Sequence, residues 1–247
     1  MRKIQTSLIL LLLLFCFAQN SQAQGTVEAG IGGLLNYQFI SSTKQSTADI
    51  LRDLSKAHMS FQAGLRVNFN IKKDWGCQIG IGYARYNSRF ERVGLRFHDS
   101  IHPALGRIED LSEAATKTVV YRYNFDYIDI PINFTYRLTV RKGAAYYTPY
   151  VIVGFNNEIL LNHNLRIDTK GFSINGENIH KIKETGWTAT QYNLLMNLGA
   201  RFEIKLDKKT QVVLQPEFKL PLLKSTESDP TLRYGAAGIW LGIARKI

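Results

Sequence analysis

Between residues 191 and 223 apolar and polar side chains alternate almost without a break. Tyr192, Leu194, Met196, Leu198, Ala200, Phe202, Ile204 and Leu206 interleave with Gln191, Asn193, Asn197, Gly199, Arg201, Glu203 and Lys205, and Leu195 is the one large apolar residue on the polar side. After Asp207-Lys208-Lys209-Thr210 the pattern resumes, with Val212, Leu214, Phe218, Leu220 and Leu222 set against Gln211, Gln215, Glu217 and Lys219. A period of two sends neighbouring side chains to opposite faces of a strand. Two such runs joined by a short polar turn predict an antiparallel hairpin.

The same alternation predicts six further strands, over 25–40, 59–71, 75–83 with continuation to 93, 117–138, 146–161 and 231–247. In 117–138 the apolar positions change phase, from Val119, Tyr121, Tyr123, Phe125 and Tyr127 to Ile128, Ile130, Ile132, Phe134 and Tyr136. An extra residue shifts phase in this way, which predicts a bulge near Tyr127 and Ile128. Pro131, Pro149, Pro216 and Pro221 fall within predicted strands, where each removes a donor, and so belong at bulges or strand ends.

The connections alternate between long segments, at 41–58, 94–116 and 162–189, and short ones, at 72–74, 139–145 and 207–210; the last loop, 224–230, is of medium length. Tyr37, Trp75, Tyr136, Tyr147 and Tyr192 lie toward strand ends, as an interfacial girdle requires. An even number of strands with this rhythm predicts an all-β fold, an eight-stranded antiparallel transmembrane β-barrel with long extracellular loops and periplasmic termini. Ile50, Leu51 and Leu54 have helical spacing and predict a short surface helix in the first loop. The weak alternation about Thr169-Lys170-Gly171 predicts a hairpin projecting beyond the barrel.

Arg2 and Lys3, an apolar run over 8–18 and Ser21-Gln22-Ala23 read as a signal peptide, 1–23, cleaved before Gln24 to leave one barrel domain, 24–247. The run is shorter than the ~20 residues a membrane helix needs. Phe15 is too bulky for a lipid-attachment signal at Cys16, and cleavage would leave Cys77 alone, without an intrachain disulfide. The formal charge of +11 falls to +9 once Arg2 and Lys3 are removed. Because the basic residues are spread over turns, loops and strands, they suit membrane lipid headgroups or surface glycans and argue against nucleic acid.

Ten charged residues fall on the face predicted to line the lumen: Glu28, Arg66, Asp129, Arg137, Glu158, Arg201, Glu203, Lys205, Glu217 and Lys219. With five acids and five bases, and a lumen that side chains of eight strands can fill, they predict an ion-paired plug; a small porin-like channel is the alternative. A soluble lipocalin-like barrel with its apolar face inward would leave the strand-end aromatics without a reason. His98 and His102 have a spacing that suits two metal ligands on a helix, but Pro103 and the lack of a third ligand favour a solvated loop. No cofactor or metal is expected. No Gly-x-Ser-x-Gly or comparable arrangement marks a nucleophile, and His163 and His180 stand without one, so a non-enzymatic protein is expected over an outer-membrane enzyme.

Tyr127-Ile128-Asp129-Ile130-Pro131-Ile132 and Pro149-Tyr150-Val151-Ile152-Val153-Gly154 resemble the "Tyr-Leu-Glu-Ile-Pro" and "Pro-Tyr-Val-x-x-Gly" strands of the PorT-like outer-membrane β-barrel family of Gram-negative bacteria, with Asp129 in place of the usual Glu. The resemblance implies an outer-membrane location and a role in secretion of proteins to the cell surface or in gliding motility. It implies no catalytic residue. Ile247 departs from the aromatic residue with which barrels more often end. Partners are expected among envelope or secretion proteins, met through the three long loops, where Leu51, Leu54, Phe97, Ile101, Leu105, Phe172, Ile174 and Trp187 either form a partner surface or pack the loops together.

Overall fold

The computed structural model describes residues 25–93, 100–102, 105–107, 118–139, 147–170, 174, 177–182, 188–227 and 229–247. The expected signal peptide, His98, Phe97, Phe172 and Trp187 lie outside the described residues. Eight long strands make the wall: β1 (Gly25–Ser41), β2 (His58–Asn70), β3 (Trp75–Val93), β4 (Thr118–Arg137), β5 (Tyr147–Lys170), β6 (Tyr192–Lys205), β7 (Thr210–Pro221) and β8 (Thr231–Lys246). Each pairs antiparallel with its neighbours in the chain, and β8 returns to β1, with Thr26 opposite Lys246 and Ser41 opposite Thr231. The sheet is therefore a closed ring with every wall strand paired on both sides, the condition for crossing hydrocarbon with β-structure.

Outward-facing residues form an apolar belt. Ile31, Leu65, Ile81, Phe134, Phe155, Phe218 and Ile243 are each at least 44% exposed, an arrangement that only a lipid exterior makes favourable. Trp75 and Tyr136 pack with tilted rings at the periplasmic end, their centroids 4.8 Å apart, and Tyr147 packs beside Phe202 at 6.1 Å. Tyr37 and Tyr192, 47% and 45% exposed, mark the opposite rim.

Strands β3, β4 and β5 rise beyond this belt, and there the pattern inverts. Below Tyr127 the inward residues of β4 are Asp129, Asn133 and Thr135; above it they are Tyr127, Phe125, Tyr123 and Val119, all buried. Outward, Ile128, Ile130 and Ile132 give way to Asp126, Asn124 and Arg122. The pairing of β3 with β4 keeps one register throughout, from Trp75 opposite Tyr136 to Val93 opposite Thr118. The register shift expected at this height is present, but between β4 and β5: Asp126 faces Asn162 while Tyr127 faces Leu160, so the extra residue is Leu161 of β5. The odd-numbered aromatics of β4 thus face the interior, not lipid. The cause is the change of exterior medium from hydrocarbon to water, which reverses the side that apolar groups prefer.

β5 is longer than the alternation suggests, and its upper half pairs with a short strand, Ile179–Ile182, as the projecting hairpin. A second short strand, Ser55–Lys56, pairs with β3 on the other flank. The first loop carries a helix, α1 (Gln45–Leu54), whose Leu51 and Leu54 pack on the buried cluster over the lumen. Leu105 and Ile174 pack on the same cluster. Loops are also joined to one another: Asp229 accepts hydrogen bonds from the Thr43 amide at 3.2 Å and from its hydroxyl. These bonds, that of the hydroxyl first, hold the Asp229 carboxyl below the usual carboxylate range.

Two prolines depart from expectation. Pro221 ends β7 and Pro149 lies near the start of β5, whereas Pro131 and Pro216 sit inside strands. Around each the ladder loses two pairs and then resumes in the same register. In that register Pro131 falls opposite Gly80, where a Cβ would lie 3.0 Å from its ring and 2.7 Å from the Leu65 carbonyl oxygen, and Pro216 falls opposite Ala200.

Candidate functional site

The lumen is divided into a polar layer within the membrane and an aromatic layer above it. In the polar layer, β1, β2, β4, β5, β6 and β7 each point a charged residue inward. Glu28, Arg66, Asp129, Glu158, Arg201, Glu217 and Lys219 are all at most 4% exposed. Such groups remain charged in a low-dielectric interior only with close partners, and for all but Glu158 an oppositely charged partner comes from across the ring.

Glu28 of β1 meets Arg201 of β6, with Oε2 2.6 Å from Nη1, and Trp240 Nε1 donates to its other oxygen at 2.5 Å. The Arg66 guanidinium lies over the Trp240 ring, 3.7 Å from the centroid, a favourable cation–π stack. Arg66 also reaches Glu217 at 3.6 Å, and Glu217 accepts hydrogen bonds from Gln62 and from Gln215. Lys219 Nζ donates to Gln62 at 2.7 Å and lies 3.4 Å from Asp129. Asn156 donates to both Asp129 oxygens, at 2.7 and 2.9 Å. Glu158, opposite Asp129 in the ladder, has only neutral donors: the Tyr86 hydroxyl at 2.5 Å and Asn193 at 3.1 Å. Asn197, Asn133, Gln78 and Asn68 form a parallel chain of amides. The bonds therefore brace opposite walls as well as neutralise charge.

Three of the ten expected lumen residues lie apart from this layer. Arg137 and Lys205 are exposed and Glu203 is only partly covered; all three line an open vestibule of about 170 Å³ at the periplasmic mouth, together with Thr26, Asn70 and Lys246. Glu203 still touches the network, 2.9 Å from Arg201 Nε. The wall there borders water, and long charged side chains keep their hydration instead of pairing inside. The sealed layer consequently holds four acids and three bases.

Above it, Tyr86, Phe125, Tyr127 and Tyr234 fill the bore. Tyr86 stacks with Tyr234 at 6.3 Å, Tyr234 meets Phe125 at 4.8 Å, and Tyr127 sits edge-on to Tyr86 at 5.9 Å. Leu34, Leu195, Leu165 and Ile167 complete the layer; Leu195 is the residue that broke the alternation. Trp240 and these aromatics belong to the site, though the charge pattern did not mark them. Their signal is parity: Trp240 shares its phase with the inward Ala236 and Ala244.

Among the described residues no group of three or more His, Cys, Asp or Glu side chains is placed to hold a metal. His163 stacks on Phe125 with centroids 6.3 Å apart, and His180 contacts the Glu177 carbonyl at 3.1 Å.

Neisserial surface protein A is similar in structure, at 10% identity and a TM-score of 0.44 over 92% of this chain and all of that one. The outer membrane protein OprG of Pseudomonas aeruginosa is similar at 11% identity and a TM-score of 0.43, over 93% and 98% of the two chains. The outer membrane protease OmpT of Escherichia coli is similar at 7% identity and a TM-score of 0.38, over 91% and 96%. No curated protein matches the sequence. The outer membrane protein β-barrel domain family matches residues 17–225, most of the wall. The chain belongs to that family, and its place is the outer membrane.

Proposed function

We propose that this protein is a non-enzymatic surface component of the PorT-like kind, exported by a signal peptide over 1–23 and associated with secretion or gliding, whose partners meet the extracellular side. The observation that carries the reading is the division of labour within the fold. The bore is closed by two layers of buried side chains, while β3, β4 and β5 continue above the apolar belt and hold the loops there. Loops carried on a rigid wall are where recognition is usually placed. Leu51, Leu54, Leu105 and Ile174 pack on the buried cluster, so recognition falls to the residues left exposed, Ile50 and Ile179 among them.

The test is deletion of the gene, followed by assays of surface-protein export and gliding, with photocrosslinkers placed at Ile50 and Ile179. Loss of export with crosslinks to secretion components is the expected result. Intact export and gliding, without crosslinks but with lipid or peptide hydrolysis by the purified protein, would overturn it in favour of an enzyme.

A further inference from the structure

The outer surface of the sheet above the membrane carries five cations in one cross-strand row. Lys56 lies opposite Arg89, Arg89 opposite Arg122, Arg122 opposite Arg166, and Arg166 opposite Lys181, across five adjacent strands. Directly opposed residues share a face of the sheet. That face is outward, because the flanking Ser88, Phe90, Leu165 and Ile167 are buried inside.

Like charges side by side in a ladder oppose folding, and the neighbouring rows relieve them only in part. The row below is neutral: Asn87, Asn124 and Asn164 stand abreast. The row above supplies Glu91, 2.8 Å from Arg89, and Asp168, which is divided between Arg122 at 2.9 Å and Arg166 at 3.2 Å. Arg85, nearer the membrane, is already closed by Asp126 at 2.6 Å. Five cations thus face two carboxylates among the described residues.

Height identifies the occupant. Arg89 and Arg122 lie six residues above Tyr83 and Ile128, the last outward residues of the belt on β3 and β4. At ~3.3 Å per residue and a ~40° tilt the row stands about 15 Å above the apolar edge. The headgroup region of a phospholipid leaflet is only about 5–7 Å deep, so a phospholipid phosphate lies beneath the row. Acidic sugars carried on a membrane glycolipid extend far enough to reach it.

We infer that this row is a binding site for the phosphorylated saccharide of an outer-leaflet glycolipid, held against the outside of the barrel by Arg122 and Arg166, with Lys56, Arg89 and Lys181 completing the row. The site is independent of whichever protein the loops bind.

The experiment uses the full barrel in phosphatidylcholine nanodiscs containing purified lipopolysaccharide, either intact or enzymatically dephosphorylated, with glycolipid retained on the immobilised protein as the readout. Retention of the intact form is expected to weaken by roughly thirtyfold in R122Q/R166Q, to recover in R122K/R166K, and to fall for the wild type with the dephosphorylated form. Heat-dependent electrophoretic mobility establishes that each variant is folded, and the dephosphorylation arm needs no variant. Equal retention of both glycolipid forms, or unchanged retention by folded R122Q/R166Q, would overturn the proposal. Equally tight binding of the phosphorylated oligosaccharide freed from its lipid would overturn the membrane source and assign the row to a soluble glycan.

Discussion

Replacing Lys219 with methionine is expected to destabilise the folded barrel by about 3–5 kcal/mol, the usual cost of removing one partner of a buried ion pair. Lys219 is fully buried, and its ammonium is the only cation within salt-bridge distance of Asp129 among the described residues. It also lies 4.0 Å from Glu217, donates to Gln62, and stands 3.4 Å from the Tyr86 hydroxyl that holds Glu158. Methionine preserves much of the volume and removes the charge, so the loss reads electrostatics more than packing. Urea unfolding in lipid vesicles measures it. Adding Asp129→Asn should recover a large part of the loss, because the uncompensated carboxylate is gone and the two sites are in contact. A change below about 1 kcal/mol for Lys219→Met would indicate a hydrated lumen in which the pair is screened.

Gly154→Val is expected to prevent closure of the ring or to cost about 3 kcal/mol or more, the upper end of overpacking effects. A Cβ at Gly154 would stand 2.3 Å from the Ile132 carbonyl oxygen and 2.5 Å from Asn133 Cα. Both are backbone atoms of β4, so no rotamer change relieves the clash and the two strands must part. Gly33 is the control: a Cβ there meets nothing within 4 Å, and Gly33→Ala should be close to neutral. Heat-dependent mobility on electrophoresis, scored after refolding into detergent, separates the two variants. A fully folded Gly154→Val barrel would show that β4 and β5 are not held at this spacing.

The wall was legible because lipid outside and a polar bore inside write a period of two along every strand. Residues such as Ile239 and Leu241 against Gly238 and Gly242 need no further context. What alternation alone cannot resolve is a change of surroundings partway along a strand. In β4 the sequence has the same appearance whether the phase moves by an inserted residue or the exterior turns from hydrocarbon to water; an inserted residue would leave Tyr121 to Tyr127 outward, whereas the change of medium turns them in. In β5 both occur, with Leu161 inserted at the level where the medium changes. The charged lumen residues were legible by parity down to Glu158 and Lys219. The different surroundings of Arg137 and Lys205 depend on where the wall ends, which local sequence does not state. Trp240 and Tyr234 share the inward parity as well, but carry no charge to set them apart from the apolar residues of the outer face.

This outer-membrane barrel is expected not to conduct, because its own side chains fill the bore in a polar layer braced across the ring and an aromatic layer above it. Planar-bilayer recording of the purified, heat-modifiable protein tests that directly. A silent bilayer is expected at neutral pH, with no reproducible single-channel steps over the range of voltages an intact membrane withstands. Stable, uniform conductance steps from the wild-type protein would contradict it and restore the small-channel reading.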